Sequence, residues 1–461
     1  MSLPPPNGPL LAEIDTEDLE QLVSRSDAVQ DNITGVNYVG SYNWLNSKNP
    51  IIKVPGLPPA WTPLKHPQRL QRDRGTYFRD KNAARYADFP MEPAVRAIFI
   101  ENPSFASSKI DLVACSSTIG NLLRFVRKAG KAFRFLIQVV GSTVFLIRKE
   151  RSPREIIPDV RGYGHSFPEM YTTWEGVAKD SASYQRIIQY KFAGLDILLR
   201  FESDGYLRDL AGSDAASSKA HSLLSPNKDL GKSDPDALVD VLEGASVGQK
   251  LPASNTALEI ISADNRRNIP QEALFDLKTR STRKIDDDIM IDELPRLWVA
   301  QIPNFILAFH DSGVFRDIRT IHVRDQVSEW EADNQAVLGH LAALIQKLAT
   351  FVRERPEDTI EVRSDGIDTL EIREFVADED DFRPTALPPD LQALWIGEQS
   401  DTDRPGNLDE FNLDEFDNDH GGVDVTEQGL ESEEYSDSEE SDKDYTACSA
   451  STCGYCGHCS Y

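Results

Sequence analysis

Strand-like runs of apolar residues occur in pairs along the central part of the chain. Residues 134–150 read RFLIQVVGSTVFLIRKE, which predicts two strands that turn at Gly141–Ser142. Residues 185–207 read QRIIQYKFAGLDILLRFESDGYL, which predicts a second hairpin that turns at Ala193–Gly194. Two hairpins of this kind predict that an antiparallel sheet lies at the centre of the fold.

Helix-like spacing of apolar residues separates and follows these hairpins. Residues 117–130 carry apolar side chains at helical spacing before a final glycine, and residues 333–353 carry a long apolar stripe. AIFIEN, residues 97–102, is interpreted as a strand, and TIEVRS, residues 359–364, as a late strand. The predicted fold class is α+β, with a mixed, largely antiparallel β-sheet core flanked by helices.

Composition divides the chain into four parts. Residues 1–36 are Pro-rich at the start and are predicted to be a flexible segment, and residues 37–385 are predicted to form a single domain. Residues 208–255 are rich in small and polar residues, which predicts a mobile insertion in that domain. Residues 386–445 are predicted to be a disordered acidic tail, and residues 446–461 form a Cys-rich terminal motif.

The acidic excess is concentrated in the last part of the sequence. The net charge is −27, yet residues 401–461 alone hold 18 Asp plus Glu against two Lys plus Arg. Residues 407–416 contain the tandem repeat NLDEFNLDEF. The remaining body is only mildly acidic, so the overall charge does not exclude a locally basic groove for nucleic acid.

Hydropathy and the first residues give expectations about location. No apolar run approaches the roughly 20 residues that span a bilayer, so no membrane partner is expected. The start of the sequence lacks a basic segment followed by a long apolar one. The protein is therefore expected to be intracellular, in the nucleus or cytoplasm, and not secreted.

Two short motifs carry the strongest chemical signal. RFESDG places Glu202 and Asp204 two residues apart, and LFDLKT places Asp276 and Lys278 two residues apart. Alternate residues of a strand share one face, so each pair is predicted to point into one cavity. Glu169, which follows a Gly-rich and aromatic turn, could complete a set of carboxylate ligands. Such a set suits Mg²⁺ or Mn²⁺ and metal-assisted phosphodiester cleavage.

A plainer interpretation stands beside this one. Pairs of charged residues spaced by two are common on solvated strand faces. Two features favour a functional site: Glu202 and Asp204 end a strongly apolar strand, and Asp276 lies between Phe275 and Leu277. A charge in such surroundings is costly unless it is paired or bound to a metal.

The order of several motifs resembles the DXO-type RNA 5′-end decapping nucleases. The motifs are the turn GYGHSFPEMY, the strand end RFESDGY, the strand FDLKTRS and the segment LWVAQIPNFILAF, and the resemblance covers roughly residues 95–350. It implies a fold like that of the PD-(D/E)xK nucleases. It also implies Mg²⁺- or Mn²⁺-dependent hydrolysis at RNA 5′ ends, by decapping, pyrophosphohydrolase or 5′–3′ exonuclease action.

The same resemblance assigns roles to individual residues. The metal ligands would be Glu169, Glu202, Asp204 and Asp276. Lys278 would stabilise the scissile phosphate or position water, and Gln301 would lie near the site. The chain departs from the family pattern at Asp276, where a glutamate is expected, so the side chain here is one methylene shorter.

The Cys-rich motif is a second candidate metal site. Its four cysteines could bind Zn²⁺ as thiolates, and the small residues between them would allow a short loop to wrap the ion. The alternatives are a flexible, redox-active tail and adventitious metal binding. The four are Cys448, Cys453, Cys456 and Cys459.

The leading hypothesis is a divalent-metal-dependent hydrolase of RNA 5′ ends. The alternative from another class is a noncatalytic nuclease-like adaptor that binds RNA or protein. In either case the acidic tail could contact a protein partner. The hydrolase hypothesis requires that Glu202, Asp204 and Asp276 lie close together in space, whereas the adaptor hypothesis does not.

Overall fold

The computed structural model describes residues 3, 6–25, 32–158, 160, 162–212, 256–263, 268–366, 368–377 and 382–397. Residues 213–255 of the predicted insertion therefore lie outside the described residues. So do the part of the predicted acidic tail beyond residue 397 and the Cys-rich motif with its candidate Zn²⁺ ligands.

The described residues form helices and strands in alternation. The helices are α1 (Thr16–Arg25), α2 (Lys81–Arg85), α3 (Glu92–Glu101), α4 (Ser116–Val126), α5 (Ser166–Tyr171), α6 (Met290–Ala300), α7 (Arg324–Asp333), α8 (Gln335–Arg353) and α9 (Pro389–Ile396). The strands are β1 (Leu10–Asp15), β2 (Thr34–Leu45), β3 (Ile51–Val54), β4 (Ala60–Trp61), β5 (Leu112–Cys115), β6 (Phe133–Val140), β7 (Thr143–Arg148), β8 (Thr172–Thr173), β9 (Ser181–Phe192), β10 (Leu195–Glu202), β11 (Gly205–Tyr206), β12 (Glu259–Ser262), β13 (Leu274–Ser281), β14 (Asn304–Asp311), β15 (Val314–His322), β16 (Ile360–Ser364) and β17 (Thr369–Glu374).

These strands form two sheets. The larger has the order β1-β17-β16-β6-β7-β5-β10-β9-β2-β3-β12, and the smaller has the order β15-β14-β13-β11-β4-β8. Of the neighbouring pairs among the described strands, ten are antiparallel. The other five of these described pairs are parallel: β5–β10, β5–β7, β3–β12, β4–β11 and β13–β14. The predicted fold class, a mixed and largely antiparallel sheet flanked by helices, is confirmed.

Apolar residues on both faces of the larger sheet build the core. In β6, Phe135 and Ile137 belong to the buried cluster that includes residues of α4, α6 and α8. Leu136, between them, belongs to a second buried cluster that includes residues of α3 and α9. Successive residues of a strand point to opposite faces, so one strand serves both layers. Helices therefore cover this sheet on both sides.

Helix α8 confirms the predicted apolar helix at residues 333–353. Among the described residues it is the one helix that is long and apolar enough to cross a membrane, and about 50% of its apolar window is buried. The buried core helix of a globular fold passes the same test. The expectation of no membrane partner stays a prediction.

Both ends of the predicted domain differ from the structure. Residues 1–36, predicted to be flexible, contain β1 and α1, and Ile14 of β1 pairs with Leu370 of β17. The predicted tail from residue 386 begins instead with α9, whose Trp395 is buried and packs against Phe99 and Phe145. The folded domain therefore extends beyond residues 37–385 at both ends, because apolar side chains on either side of that range cover the sheet.

AIFIEN is helical, and its prediction as a strand is wrong. These residues end α3, which has a proline in its first turn, and Ala97, Ile98 and Phe99 are buried. A short apolar run that is buried on all sides has no periodicity that distinguishes helix from strand. The helix packs against β2 and β3, on the face of the larger sheet that α9 also covers.

Candidate active site

The candidate site lies where the chain passes from the larger sheet to the smaller one. Glu202 is the last residue of β10, and Asp204 immediately precedes β11. Between them, the Ser203 hydroxyl donates to the carbonyl of Phe275 at 3.1 Å. This hydrogen bond joins the crossing segment to β13. The two carboxylates are thus placed by strands from both sheets.

Three of the four predicted acidic ligands border one cavity. The cavity has a volume of about 150 Å³, and Glu169, Glu202 and Asp204 line it. His165 and Lys81 also line it. Convergence of Glu202 and Asp204 agrees with the sequence prediction, which placed both side chains in one cavity. Asp276 and Lys278 are not among the lining residues.

Asp204 lies against β13. Its carboxylate accepts a hydrogen bond from the amide of Leu277 at 2.7 Å, and it also forms a side-chain hydrogen bond with Asp276. Burial, followed by the negative charge of Asp276, raises the pKa of Asp204 well above its usual range. Burial and the neighbouring negative charge therefore disfavour the ionised form of Asp204.

The Glu202 side chain is partly exposed, whereas Asp276 is buried. Its carboxylate accepts a hydrogen bond from the Gln185 side chain at 3.1 Å, across the β9–β10 pairing. Arg85 is close enough for electrostatic attraction: burial lowers the pKa of Arg85, and Glu202 opposes that effect. The Gln185 side chain thus holds one carboxylate oxygen of Glu202 at the wall of the cavity.

Glu169 reaches the cavity from the exposed side of α5. The opposite side of this short helix is buried, where Phe167 and Tyr171 stack at 4.2 Å between their ring centroids. The start of the helix is fixed by Asp73, whose carboxylate accepts from the amides of His165 and Ser166 at 3.0 and 2.8 Å. Burial of the two aromatic rings leaves Glu169 facing solvent at the cavity wall.

Asp276 is paired with an arginine that the sequence analysis did not identify. Arg296 of α6 donates to the carboxylate of Asp276 and, at 2.8–2.9 Å, to that of Glu293. All three side chains are buried. Burial lowers the pKa of Arg296, but the charges of Asp276 and Glu293 outweigh it and raise that pKa above the usual range. The structure therefore places Asp276 in an ion pair, where its prediction was as a metal ligand.

Lys278 faces the same network. Its ammonium lies 3.6 Å from Glu293, and Arg280 lies 3.8 Å from the same carboxylate oxygen. Asp276, Lys278 and Arg280 alternate along β13 and so share a face, as their spacing predicts. The signal for Glu293 and Arg296 was present in the sequence as two charges three residues apart in the apolar segment MIDELPRLWVA.

Gln301 lies at the end of α6 and not at the cavity. Its backbone is left-handed, with φ of 54°, and it caps the helix. The side-chain amide donates to the carbonyl of Trp298 at 2.5 Å, and the Gln301 carbonyl accepts from Gln271 at 2.9 Å. The structure assigns Gln301 a role in ending the helix, which differs from the predicted place near the site.

Sequence comparison establishes the family of the chain. A family model described as "Domain of unknown function (DUF8563)" matches residues 17–395. The chain belongs to this family. No curated protein matches the sequence.

Several solved structures are similar to this DUF8563 member at low sequence identity. S. pombe Rai1 in complex with 3′-FADP is 10% identical, with a TM-score of 0.49 over 79% of this chain and 99% of that chain. Scheffersomyces stipitis Rai1 in complex with (3′-NADP)+ and calcium ion is 9% identical, with a TM-score of 0.49 over 86% and 100%. Candida albicans Rai1 in complex with pU5-Mn2+ is 10% identical, with a TM-score of 0.48 over 82% and 98%.

The donor set of the cavity suits a hard divalent cation. Glu169, Glu202 and Asp204 supply only oxygen atoms, which Mg²⁺ and Mn²⁺ prefer. Burial, and after it the negative charge of Asp276, raises the pKa of Asp204, and a bound cation would stabilise its ionised carboxylate. Within the described ranges, no group of three or more His, Cys, Asp or Glu side chains is already close enough to hold an ion. The residues therefore fit a cation that keeps several waters and takes one or two carboxylates, as Mg²⁺ commonly does.

The Glu293 network makes a testable contribution to acid stability. Burial by itself raises the pKa of Glu293, but Lys278 and Arg296 lower it to about 2. An unfolded glutamate has a pKa of about 4.3, so acidification protonates the unfolded state first. The stabilisation from Glu293 is therefore complete above about pH 4.3 and is lost as the pH falls towards about 2.

We expect Glu293→Gln to lower the free energy of unfolding at neutral pH by about 1.5–3 kcal/mol. The deficit relative to wild type should shrink as the pH falls through the acidic window. Urea unfolding of both proteins at a series of pH values measures this, with the exposed Glu354→Gln as the control. A deficit that stays constant down to the acid transition would contradict the assigned ion pairs.

Proposed function

We propose that this protein is a divalent-cation-dependent hydrolase that acts on RNA 5′ ends. The observation that carries the proposal is the convergence of Glu169, Glu202 and Asp204 on one cavity at the crossing between the sheets. These residues come from three separate segments of the chain. The motif order that resembles the DXO-type nucleases runs through the same segments and supports RNA as the polymer.

The size of the cavity supports action on a phosphate group. Pockets for drug-sized ligands span about 300–1,000 Å³, whereas this cavity has about 150 Å³. A phosphoryl group with a hydrated cation fits a small, acidic space better than a large organic ligand does. The 5′ end of an RNA strand presents such a phosphoryl group, so neither a duplex nor a folded protein has to enter the cavity.

The residues have distinct roles in this proposal. Glu202 and Asp204 would hold the cation, and Glu169 would bind a water of its hydration shell from the accessible side of the cavity. When bound, the cation would polarise the phosphoryl oxygen and lower the pKa of an attacking water. Asp276 orients Asp204 through their hydrogen bond. Arg296 keeps Asp276 in place as its ion-pair partner.

Lys278 would act from outside the set of residues that line the cavity. Its ammonium is held by Glu293 at 3.6 Å, and its side chain is largely buried. From that position it contributes positive charge near Asp276 and limits the negative potential that an incoming phosphate meets. We therefore expect a smaller loss of activity from a change at Lys278 than from one at Glu202.

A substrate panel tests the proposal. Purified protein is incubated with RNAs that carry a triphosphate, an NAD cap or a monophosphate, in the presence of Mg²⁺ or Mn²⁺. We expect cation-dependent product from at least one RNA. Glu202→Gln should reduce the rate about 100-fold or more, since it removes a charged ligand. Lys278→Ala should cause a smaller loss, and the exposed Glu354→Gln should match wild type.

A noncatalytic RNA-binding or protein-binding module is the second candidate. The observation that favours it is the Arg296 ion pair, which neutralises Asp276 and Glu293 within the protein itself. If no RNA of the panel yields product with either cation, while the protein still binds RNA, this second function replaces the first. Product formation that is equal in wild type and Glu202→Gln would instead place catalysis outside the cavity.

A further inference from the structure

A strip of exposed basic residues lies in the segment that leads to the candidate active site. It consists of Lys65, Arg69, Arg72 and Arg74, and is called the basic strip below. The side chains of all four are exposed. The chain as a whole carries a net charge of −27, so this concentration of positive charge opposes the average.

The fold anchors the part of the strip that carries the arginines. The Arg69 guanidinium donates to the carbonyl of Ser312 at 2.8 Å, and the amide of Leu70 donates to the carbonyl of Gly313 at 2.9 Å. Leu70 and Asp73 are buried, and Asp73 is the residue that fixes the start of α5. The buried residues Leu70 and Asp73 thus anchor the segment, and the exposed Arg69, Arg72 and Arg74 lie next to them in the sequence.

The charges of the strip are not neutralised by nearby carboxylates. In the part of the chain that the structure describes, no acidic side chain forms an ion pair with any of its four residues. Arg316 is also exposed and lies two residues after Val314, which bridges to Arg69. Arg316 thus adds a further positive charge on β15. Uncompensated, clustered arginines of this kind attract polyanions.

A pair of stacked rings joins the strip to the cavity. The Tyr77 hydroxyl donates to the carbonyl of Arg74 at 3.2 Å. The Tyr77 ring stacks on His165 with 3.7 Å between centroids and 11° between planes. His165 borders the cavity together with Glu169. A polyanion bound along the strip would therefore pass these two partly exposed rings before it reaches the carboxylates.

We propose that the basic strip binds the phosphate backbone of the single-stranded RNA whose 5′ end occupies the cavity. The inference rests on the proposed function, since it assigns the path of the same substrate. Arginines contact phosphates without regard to sequence, and flat rings stack with bases. The stacked Tyr77–His165 pair favours RNA over an acidic protein, because a peptide of aspartates and glutamates has no base to stack on it.

Binding of fluorescent, 5′-monophosphorylated oligouridylates by anisotropy tests this assignment. The measurements are made in EDTA, so that hydrolysis does not occur, with a dinucleotide and a dodecanucleotide. We expect Arg72→Ala/Arg74→Ala to weaken binding of the dodecanucleotide tenfold or more and to leave the dinucleotide unaffected. The slope of log affinity against log salt should become less steep by about 0.7 for each phosphate that the variant no longer neutralises.

The matched control is Lys109→Ala/Lys128→Ala, which removes one exposed positive charge at the end of a 3-10 helix and one in the turn after α4. It should bind the dodecanucleotide as wild type does. An equally large weakening in the control would show that only net charge matters and would overturn the proposal, as would unchanged binding in the strip variant. Displacement of the RNA by polyglutamate of equal charge, at equal concentration, would overturn the choice of RNA in favour of an acidic protein.

Failure of the proposal for the basic strip and failure of the proposed hydrolase function give different results. If wild type never hydrolyses RNA but the strip variant binds the dodecanucleotide more weakly than wild type does, the RNA-binding role of the strip is supported and the hydrolase proposal is contradicted. If wild type hydrolyses RNA and the strip variant binds both lengths as wild type does, the strip fails alone. Thermal unfolding of every variant confirms that exposed substitutions have not unfolded the protein.

Discussion

Replacing Arg296 with methionine should lower the free energy of unfolding by about 3–5 kcal/mol, the cost of removing one partner from a buried ion pair. The side chains of Arg296, Asp276 and Glu293 are 7%, 3% and 2% exposed. Methionine fills similar space but leaves two buried carboxylates without their guanidinium donor. Lys278 and Arg280 remain beside Glu293, so the larger part of the destabilisation should arise at Asp276.

Urea unfolding of wild type and Arg296→Met measures this effect. Arg324→Met is the matched control, because Arg324 pairs with Glu272 while both side chains are more than half exposed, at 54% and 56%. An exposed pair contributes about 0–1 kcal/mol, so the control should change little. Similar destabilisation in the two variants would contradict the role given to Arg296. A second variant, Arg296→Met/Asp276→Asn, should recover part of the stability.

Asp204→Asn should abolish hydrolysis and yet stabilise the cation-free protein. Burial and Asp276 raise the pKa of Asp204, so its ionised form is unfavourable in the folded protein without a cation. An amide oxygen can still accept from the amide of Leu277, and the amide nitrogen can donate to Asp276. Relief of such a strained functional position commonly adds about 0.5–2 kcal/mol.

The activity should fall about 100-fold or more, because the charged cation ligand is removed. The stability gain should be absent when wild type is saturated with Mn²⁺, since the cation relieves the same repulsion. Thermal unfolding in EDTA and in Mn²⁺, beside RNA hydrolysis, separates the two effects. Asp333→Asn, an exposed carboxylate of α7, is the control. A variant that is both inactive and less stable in EDTA would contradict the assigned environment of Asp204.

The hairpins illustrate what local sequence could predict. In the β9–β10 pair, the turn falls at Ala193 and Gly194 as predicted, and both residues have positive φ. Apolar alternation and turn residues are local signals, so a single sequence carries them. The same holds for Glu202 and Asp204, since the end of a strongly apolar strand marked where their carboxylates would emerge.

Long-range partners could not be predicted in the same way. The pairing of β1 with β17 joins residues more than 350 positions apart, and nothing in LLAEID alone indicates a partner for that strand. The ion pair of Asp276 likewise depends on α6 lying across β13. From the sequence, Asp276 and Arg296 were two charges in separate elements, and only the packing of those elements decides whether a carboxylate faces a cation ligand site or an arginine.

The most direct test of the account is a time course of 5′-end release from end-labelled triphosphate, NAD-capped and monophosphate RNAs, in Mn²⁺ and in EDTA. The account predicts labelled product from at least one RNA in Mn²⁺, none in EDTA, and release from Asp204→Asn that is slower by about 100-fold or more in Mn²⁺. Release that continues in EDTA, or that Asp204→Asn leaves unchanged, would contradict the assignment of the Glu169, Glu202 and Asp204 cavity as the catalytic centre.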